Sequence, residues 1–206
     1  MLIGKKVGTI LVFLISVEPK SILVAGGYAK YPPLDSVEII SSESSLTNKK
    51  LAELPNGIDG QPSLFLQDGN LLLCGGQGNE NYCLMHEKYS WKEHSKLNNM
   101  RSFASAVTTD DGTFIFGGDD SKETYEFLPK NSNVWNQGRS KIPGGFRHGC
   151  AVEVPEKSEI LLIGGYDTHT RILKFDIETQ NFEEMSVSLL KESSLSGESL
   201  RFCSAF

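Results

Sequence analysis

The stretch Thr113-Phe114-Ile115-Phe116-Gly117-Gly118 is a short apolar run that ends in a glycine pair. The same pattern occurs four times in the chain, with the glycine pairs Gly26-Gly27, Gly75-Gly76, Gly117-Gly118 and Gly164-Gly165. The first glycines of successive pairs are 49, 42 and 47 residues apart. This period is typical of the four-stranded blades of propeller proteins. Glycine at these positions permits positive φ and a close backbone contact where the chain leaves a strand.

The third repeat carries the clearest strand pattern. Ser102–Thr109 is small and β-prone, and the Asp110-Asp111-Gly112 segment that follows is typical of a hairpin turn. We expect the second strand at Thr113–Phe116, the third at Glu123–Leu128 and the fourth around Val134-Trp135. Strands of this length, without a sustained helical period, predict an all-β fold.

Four repeats account for most of the chain. Their predicted bounds are 18–56, 57–97, 98–141 and 142–188, with a partial repeat at 197–206. Each repeat has an apolar second strand before its glycine pair and a polar loop after it. A large apolar side chain marks the fourth strand of three repeats, namely Trp91, Trp135 and Phe182.

These motifs resemble the Kelch repeat family, in which an apolar strand ends in Gly-Gly and a Tyr/Phe-Asp precedes an aromatic residue. Phe175-Asp176 and Phe182 follow that second half, whereas Trp91 and Trp135 lack the preceding Asp. The resemblance covers about residues 22–185 and implies a Kelch-type β-propeller of about four blades, each a four-stranded antiparallel sheet. It also implies that the large aromatic side chains pack between adjacent blades, where they bury much apolar area. A role in stacking on carbohydrate is the alternative for these rings.

The end of the sequence leaves the closure of the propeller open. Leu200–Phe206 parallels Phe146–Val152, so it resembles the first strand of another blade. The chain is then either a truncated, open array, or a ring in which this strand completes the first blade. An open array exposes sheet edges and favours self-association.

The amino terminus has two interpretations. Residues 1–17 hold Lys5-Lys6 followed by a short apolar run, which is typical of a signal peptide and indicates secretion. The run is too short to span a membrane as a helix. Alternatively, Val12–Val17 is the first inner strand, because Glu18-Pro19-Lys20-Ser21 after it mirrors Pro155-Glu156-Lys157-Ser158. On that interpretation the protein is cytoplasmic.

Cysteine spacing gives one candidate disulfide. Cys74 ends a second strand and Cys83 lies on the third strand of the same repeat. A cross-strand disulfide fits this geometry and an oxidising compartment, and two separate buried thiols are the alternative. Cys150 and Cys203 are one position out of register in their repeats, so we expect them not to pair.

No motif for catalysis, metal binding or cofactor binding stands out. The histidines are scattered and without metal-ligand spacing (His86, His94, His148 and His169). A net charge of −6 and the lack of a basic stripe disfavour nucleic acid. We therefore expect no cofactor, no metal and no enzymatic activity. The alternative is a secreted carbohydrate-binding domain, or an enzyme similar to galactose oxidase, which shares the Kelch fold.

A protein-interaction scaffold is the function that the sequence favours, because propellers present loops on a rigid framework. We expect a protein or peptide partner at the loops that follow the glycine pairs, above all 28–34 and 166–170. The candidate partner-binding residues are Tyr28, Tyr31, Arg101, Arg147, Tyr166 and Arg201. For the three arginines, which precede first strands, bonding to carbonyls of a neighbouring blade is the structural alternative.

Overall fold

The computed structural model of this chain describes nine stretches of residues. They are 11–18, 21–28, 32–41, 47–60, 63–67, 70–77, 81–87, 89–166 and 170–187. Regular structure in these stretches is β, apart from one 3₁₀ turn at Pro155–Lys157. None of the described segments is a helix of the length and apolarity needed to cross a bilayer.

The described residues form four sheets, each of four strands that pair antiparallel in chain order. Sheet 1 consists of β1 (Leu11–Glu18), β2 (Ser21–Tyr28), β3 (Val37–Ser41) and β4 (Thr47–Lys50). Sheet 2 consists of β5 (Ser63–Gln67), β6 (Asn70–Cys74), β7 (Tyr82–Glu87) and β8 (Ser90–Lys96). Sheet 3 consists of β9 (Ser105–Thr109), β10 (Gly112–Phe116), β11 (Tyr125–Pro129) and β12 (Asn136–Gln137). Sheet 4 consists of β13 (Cys150–Val154), β14 (Glu159–Ile163), β15 (Ile172–Asp176) and β16 (Phe182–Glu184).

The prediction of an all-β chain built from repeated four-stranded antiparallel sheets is confirmed. The first strands β1, β5, β9 and β13 contact one another in that order, so the arrangement of the sheets fits a propeller. The predicted position of one strand is wrong. The fourth strand of sheet 3 pairs at Asn136–Gln137 instead of around Val134-Trp135, because the Val134 N–H donates to Ser132 Oγ and not to the neighbouring strand.

Side chains of each strand alternate between the two neighbouring sheets, which makes the core a series of layers between sheets. On β6, Leu71 and Leu73 belong to the apolar cluster shared with sheet 1. Leu72 and Cys74 belong to the cluster shared with sheet 3. A run of consecutive apolar residues is therefore what a strand needs when both of its faces are buried. Burial of each such leucine contributes about 2 kcal/mol.

The glycine pairs join consecutive sheets through the backbone. The second glycine of each of the first three pairs donates its N–H to a carbonyl just before the next sheet. These bonds are Gly27 to Ile58, Gly76 to Arg101 and Gly118 to Phe146, over 3.0, 2.8 and 3.0 Å. Gly117 and Gly118 have φ of +67° and +104°, and a Cβ on Gly117 would lie 1.8 Å from the Phe146 carbonyl oxygen. Only glycine fits there without displacing the backbone.

The aromatic residues in or directly before the fourth strands pack against the preceding sheet. Trp91 Nε1 donates to the Ala52 carbonyl oxygen over 3.0 Å, and Trp135 Nε1 donates to Ser95 Oγ over 3.1 Å. Both tryptophans are buried. The half-buried Phe182 ring lies 5.6 Å from the ring of Tyr125 in sheet 3. This is packing between neighbouring sheets, and it leaves little of the two indole rings for a carbohydrate.

At the amino terminus, Leu11–Glu18 pairs with β2 as the first strand of sheet 1. This position is the one that the strand interpretation predicts for the segment. Residues 1–10 lie outside the described residues. The partial repeat at 197–206 also lies outside them, so the two alternatives for closure stand as predictions.

A disulfide joins Cys74 and Cys83, which face each other directly across β6 and β7. Both residues are fully buried between sheets 2 and 3. Cys150 is disulfide-bonded as well, and its partner lies outside the described residues. The expectation that Cys150 and Cys203 do not pair involves Cys203, which lies outside the described residues.

Candidate partner-binding site

The longer connections of the chain lie at one end of the sheets, which we name the doublet end because the four glycine pairs lie there. They include the described parts of the loops after the glycine pairs and of the links between sheets, such as 51–60 and 138–149. The opposite end has turns as short as Asp110-Asp111. Loops on a rigid framework are the usual place for recognition, so the doublet end is where a site is expected.

Three equivalent residues form a hydrogen-bonded row at the doublet end. Each lies two positions after a carbonyl that accepts from a glycine pair: Gly60, Phe103 and His148. Phe103 N–H donates to the Gly60 oxygen over 2.6 Å, and His148 N–H donates to the Phe103 oxygen over 2.9 Å. All three have left-handed backbone, with φ of +57°, +54° and +56°. Non-glycine residues in this region cost about 1–3 kcal/mol and cluster at functional sites.

The side chains of this row stack on one another. A Cβ on Gly60 would lie 2.6 Å from the Phe103 ring, so glycine leaves the space in which that ring lies. The Phe103 and His148 rings are stacked with centroids 4.2 Å apart. The ring of Tyr166, in the loop after the fourth glycine pair, lies 5.9 Å from the His148 ring. Three rings from sheets 3 and 4 thus form one continuous surface.

Charged groups surround this stack. Arg147 Nη1 donates to Asp119 Oδ1 over 2.9 Å, and the guanidinium carbon of Arg147 lies 4.5 Å from the centroid of the Tyr166 ring. His148 Nε2 lies 3.5 Å from the same Asp119 oxygen. Tyr166 remains 41% exposed. We name these five residues, Phe103, Asp119, Arg147, His148 and Tyr166, the stacked cluster. It offers an aromatic face, a cation and an anion within one small area.

Arg101 does not belong to this surface. Its side chain is fully buried and bonds to the carboxylate of Glu126 and to the carbonyl oxygens of Gly117 and Thr124. Its assignment as a partner-binding residue is wrong, because a buried guanidinium cannot contact a partner. Arg101 does bond to backbone carbonyls, as the structural alternative expected. These carbonyls belong to its own sheet 3, however, and not to a neighbouring blade. Burial lowers the pKa of Arg101, and the charge of Glu126 opposes that effect.

Three other predicted residues, Tyr28, Tyr31 and Arg201, lie partly or wholly outside the described residues. Tyr28 is the last residue of β2, and its side chain lies outside what the structure describes. Tyr31 and Arg201 lie outside the described residues. Of the predicted set, the structure thus brings together Arg147 and Tyr166. Their contact is supported by a backbone bond in which Tyr166 N–H donates to the Arg147 oxygen over 3.0 Å.

Sequence reasoning missed Phe103, Asp119 and His148. In the sequence, His148 is one of four scattered histidines without metal-ligand spacing. The missing signal lies in a comparison of the repeats at the position of Gly60, where Phe103 and His148 replace a glycine.

A second acidic group at the doublet end is buried. Asp59 is 8% exposed, and its Oδ1 has no hydrogen-bond partner among the described residues. Its backbone exchanges hydrogen bonds with Gln77. Burial raises the pKa of this carboxyl group, while a bond from the Gly60 backbone opposes the rise. Within the described part of the chain, no three His, Cys, Asp or Glu side chains are grouped as a metal site would need.

Comparison with known proteins shows the fold but no family. No protein-family model matches this chain, and no curated protein matches it. The solved structure of YjhT is similar, with a TM-score of 0.68 and 13% sequence identity over 89% of this chain and 70% of that one. At this identity the likeness concerns the backbone arrangement alone. It agrees with the propeller-like order of the four sheets.

Proposed function

We propose that this chain has a Kelch-type β-propeller fold and acts as a non-catalytic protein-interaction scaffold. The stacked cluster at the doublet end binds a protein or peptide partner. The observation that carries the proposal is the exposed Tyr166 ring, held by Arg147 and backed by the His148 and Phe103 rings. Rigid aromatic and arginine side chains are the residues that dominate the binding energy of protein interfaces.

Two further features support this function. The stack is fixed by backbone bonds and by the Asp119 contact, so little side-chain entropy remains to be lost when a partner binds. Left-handed backbone recurs at Gly60, Phe103 and His148, and at the last two positions the chain carries a ring side chain despite the cost of that backbone. The Cys74–Cys83 disulfide favours an oxidising compartment, and we propose that the protein is extracellular.

The test is capture of a partner by variants of two tyrosines at the doublet end. We expect Tyr166→Ala, and Tyr28→Ala at the end of β2, to lower partner capture from an extract at least tenfold with an unchanged melting temperature. Tyr89→Ala is the matched control, because Tyr89 is 90% exposed in the β7–β8 turn at the opposite end. Equal capture by the Tyr166 and Tyr89 variants would refute the proposal.

A carbohydrate ligand is the second candidate, and one observation favours it. An exposed tyrosine ring beside an arginine and an aspartate can stack on a sugar and bond to its hydroxyl groups. A glycan array on the purified protein distinguishes a carbohydrate ligand from a protein partner. Binding of a defined glycan that Tyr166→Ala abolishes would favour this candidate, and silence on the array would favour the protein partner.

A further inference from the structure

The interface between sheets 1 and 2 holds a groove of about 200 Å³ at the doublet end, remote in sequence from the stacked cluster. Its lining residues are Pro55, Asn56, Ile58, Tyr82, Leu84 and Glu93. Ile58 and Leu84 are buried, Tyr82 is 37% exposed, and the carboxylate of Glu93 is open to solvent. The groove therefore combines an apolar floor, an aromatic wall and a negative charge.

Backbone hydrogen bonds identify the residues between sheets 2 and 3 that are equivalent to those lining the groove between sheets 1 and 2. Gly27 donates to Ile58 as Gly76 donates to Arg101, so Ile58 and Arg101 are equivalent. The Gly75 N–H donates to the Tyr82 carbonyl oxygen, and the Gly117 N–H donates to the Thr124 carbonyl oxygen, so Tyr82 and Thr124 are equivalent. Two residues beyond these lie Leu84 and Glu126, which are equivalent in turn.

The two interfaces differ in what fills that place. Between sheets 2 and 3, the long side chain of Arg101 reaches Thr124 and Glu126, and the Asn98 and Asn99 side chains also bond to Glu126. Between sheets 1 and 2 the equivalent residues are the shorter and apolar Ile58 and Leu84, and the groove opens above them. The chain thus fills one interface with its own arginine and leaves space in the other.

We propose that this groove binds an arginine side chain of a basic peptide. The aliphatic part of arginine covers Ile58 and Leu84, and its guanidinium pairs with Glu93 while lying against the Tyr82 ring. The Tyr82 ring accepts a cation in the structure, where Lys96 Nζ lies 4.7 Å from its centroid, and the arriving guanidinium displaces the exposed lysine head from that place. The net charge of −6 favours a basic ligand over an acidic one. Arginine suits the place better than lysine, because its planar group stacks on a ring and pairs with a carboxylate at once.

Binding of Nα-acetyl-arginine amide, followed by backbone amide chemical shifts, tests this inference. The expected dissociation constant for one side chain is about 1–10 mM. Glu93→Gln should weaken binding about threefold, as expected for an exposed ion pair. Glu123→Gln is the matched control, since it removes an exposed carboxylate at the doublet end of sheet 3 and changes the net charge equally. Nα-acetyl-norleucine amide controls for the apolar contribution.

The expected result is a set of shifts centred on Asn56, Leu84 and Glu93, weakened by Glu93→Gln and unchanged by Glu123→Gln. Equal effects of the two glutamine variants would overturn the inference, because the probe would then respond only to overall charge. Equally tight binding of the norleucine probe, or shifts confined to other surfaces, would overturn it as well. The groove and the stacked cluster lie on different sheets, so failure at one leaves the other to be judged by its own test.

Discussion

The guanidinium of Arg101 donates from Nε to the Glu126 carboxylate over 3.1 Å, and neither side chain is exposed. Glu126 accepts four more bonds from the backbone and side-chain N–H groups of Asn98 and Asn99. The pair thus ties the connection that leaves sheet 2 to a central part of sheet 3. It is the polar counterpart of the apolar contact between Ile58 and Leu84.

Removal of one partner of this pair should be costly. We expect Glu126→Gln to lower the free energy of unfolding by about 3–5 kcal/mol, because Arg101 would keep a buried charge without its counter-ion. The double variant Arg101→Ile, Glu126→Leu copies the interface of sheets 1 and 2 and should lose less than half as much. Urea denaturation measures both. A double variant that is as unstable as the single one would contradict this account.

The cost of a close backbone contact can be measured separately from the cost of a positive φ by comparing two glycines that share the same φ. Gly117 and Gly144 have almost the same φ, +67° and +69°. A Cβ would meet the Phe146 carbonyl oxygen at 1.8 Å on Gly117 but only the end of the Arg171 side chain, at 3.0 Å, on Gly144. We expect Gly144→Ala to cost about 1 kcal/mol and Gly117→Ala about 3 kcal/mol or more. Equal losses in thermal denaturation would show that the sheets are not joined as described.

The buried disulfide should contribute to stability through the loop that it closes. Cys74 and Cys83 are 9 residues apart in sequence, and closure of such a loop is worth about 2–3 kcal/mol. The double variant Cys74→Ala, Cys83→Ala should therefore unfold at lower urea concentration than the native chain. In the presence of a thiol reductant the difference should shrink. A difference that persists unchanged under reduction would indicate that packing, and not the covalent bond, stabilises this hairpin.

Asp59 should make the fold less stable as the pH rises. Its pKa is raised by burial, so the folded state binds its proton more tightly than the unfolded chain does. Stability is then highest below the unfolded pKa of about 4 and is lost as the pH rises through the folded pKa. We expect Asp59→Asn to be more stable than the native chain at pH 7 and equal to it near pH 3. Asp35→Asn, at an exposed position, is the control, and urea denaturation at the two pH values is the measurement.

The strands and their order could be predicted from the sequence because the pattern is local. An apolar run that ends in Gly-Gly fixes the second strand, and the strand expected at Thr113–Phe116 is observed at Gly112–Phe116. The stacked cluster could not be predicted in full, since it depends on contacts between sheets. Phe103 and His148 stack only because consecutive sheets place equivalent residues side by side. The burial of Arg101 likewise follows from Glu126, which lies on another strand and shows no local signal of pairing.

Site-specific photo-crosslinking tests the central claim most directly, which is that the stacked cluster is the partner-binding surface. Benzoylphenylalanine replaces Tyr166 in one variant and Tyr89, at the opposite end, in the other. We predict a discrete crosslinked partner from position 166 and none from position 89. Crosslinks of equal yield from the two positions, or from position 89 alone, would contradict the account.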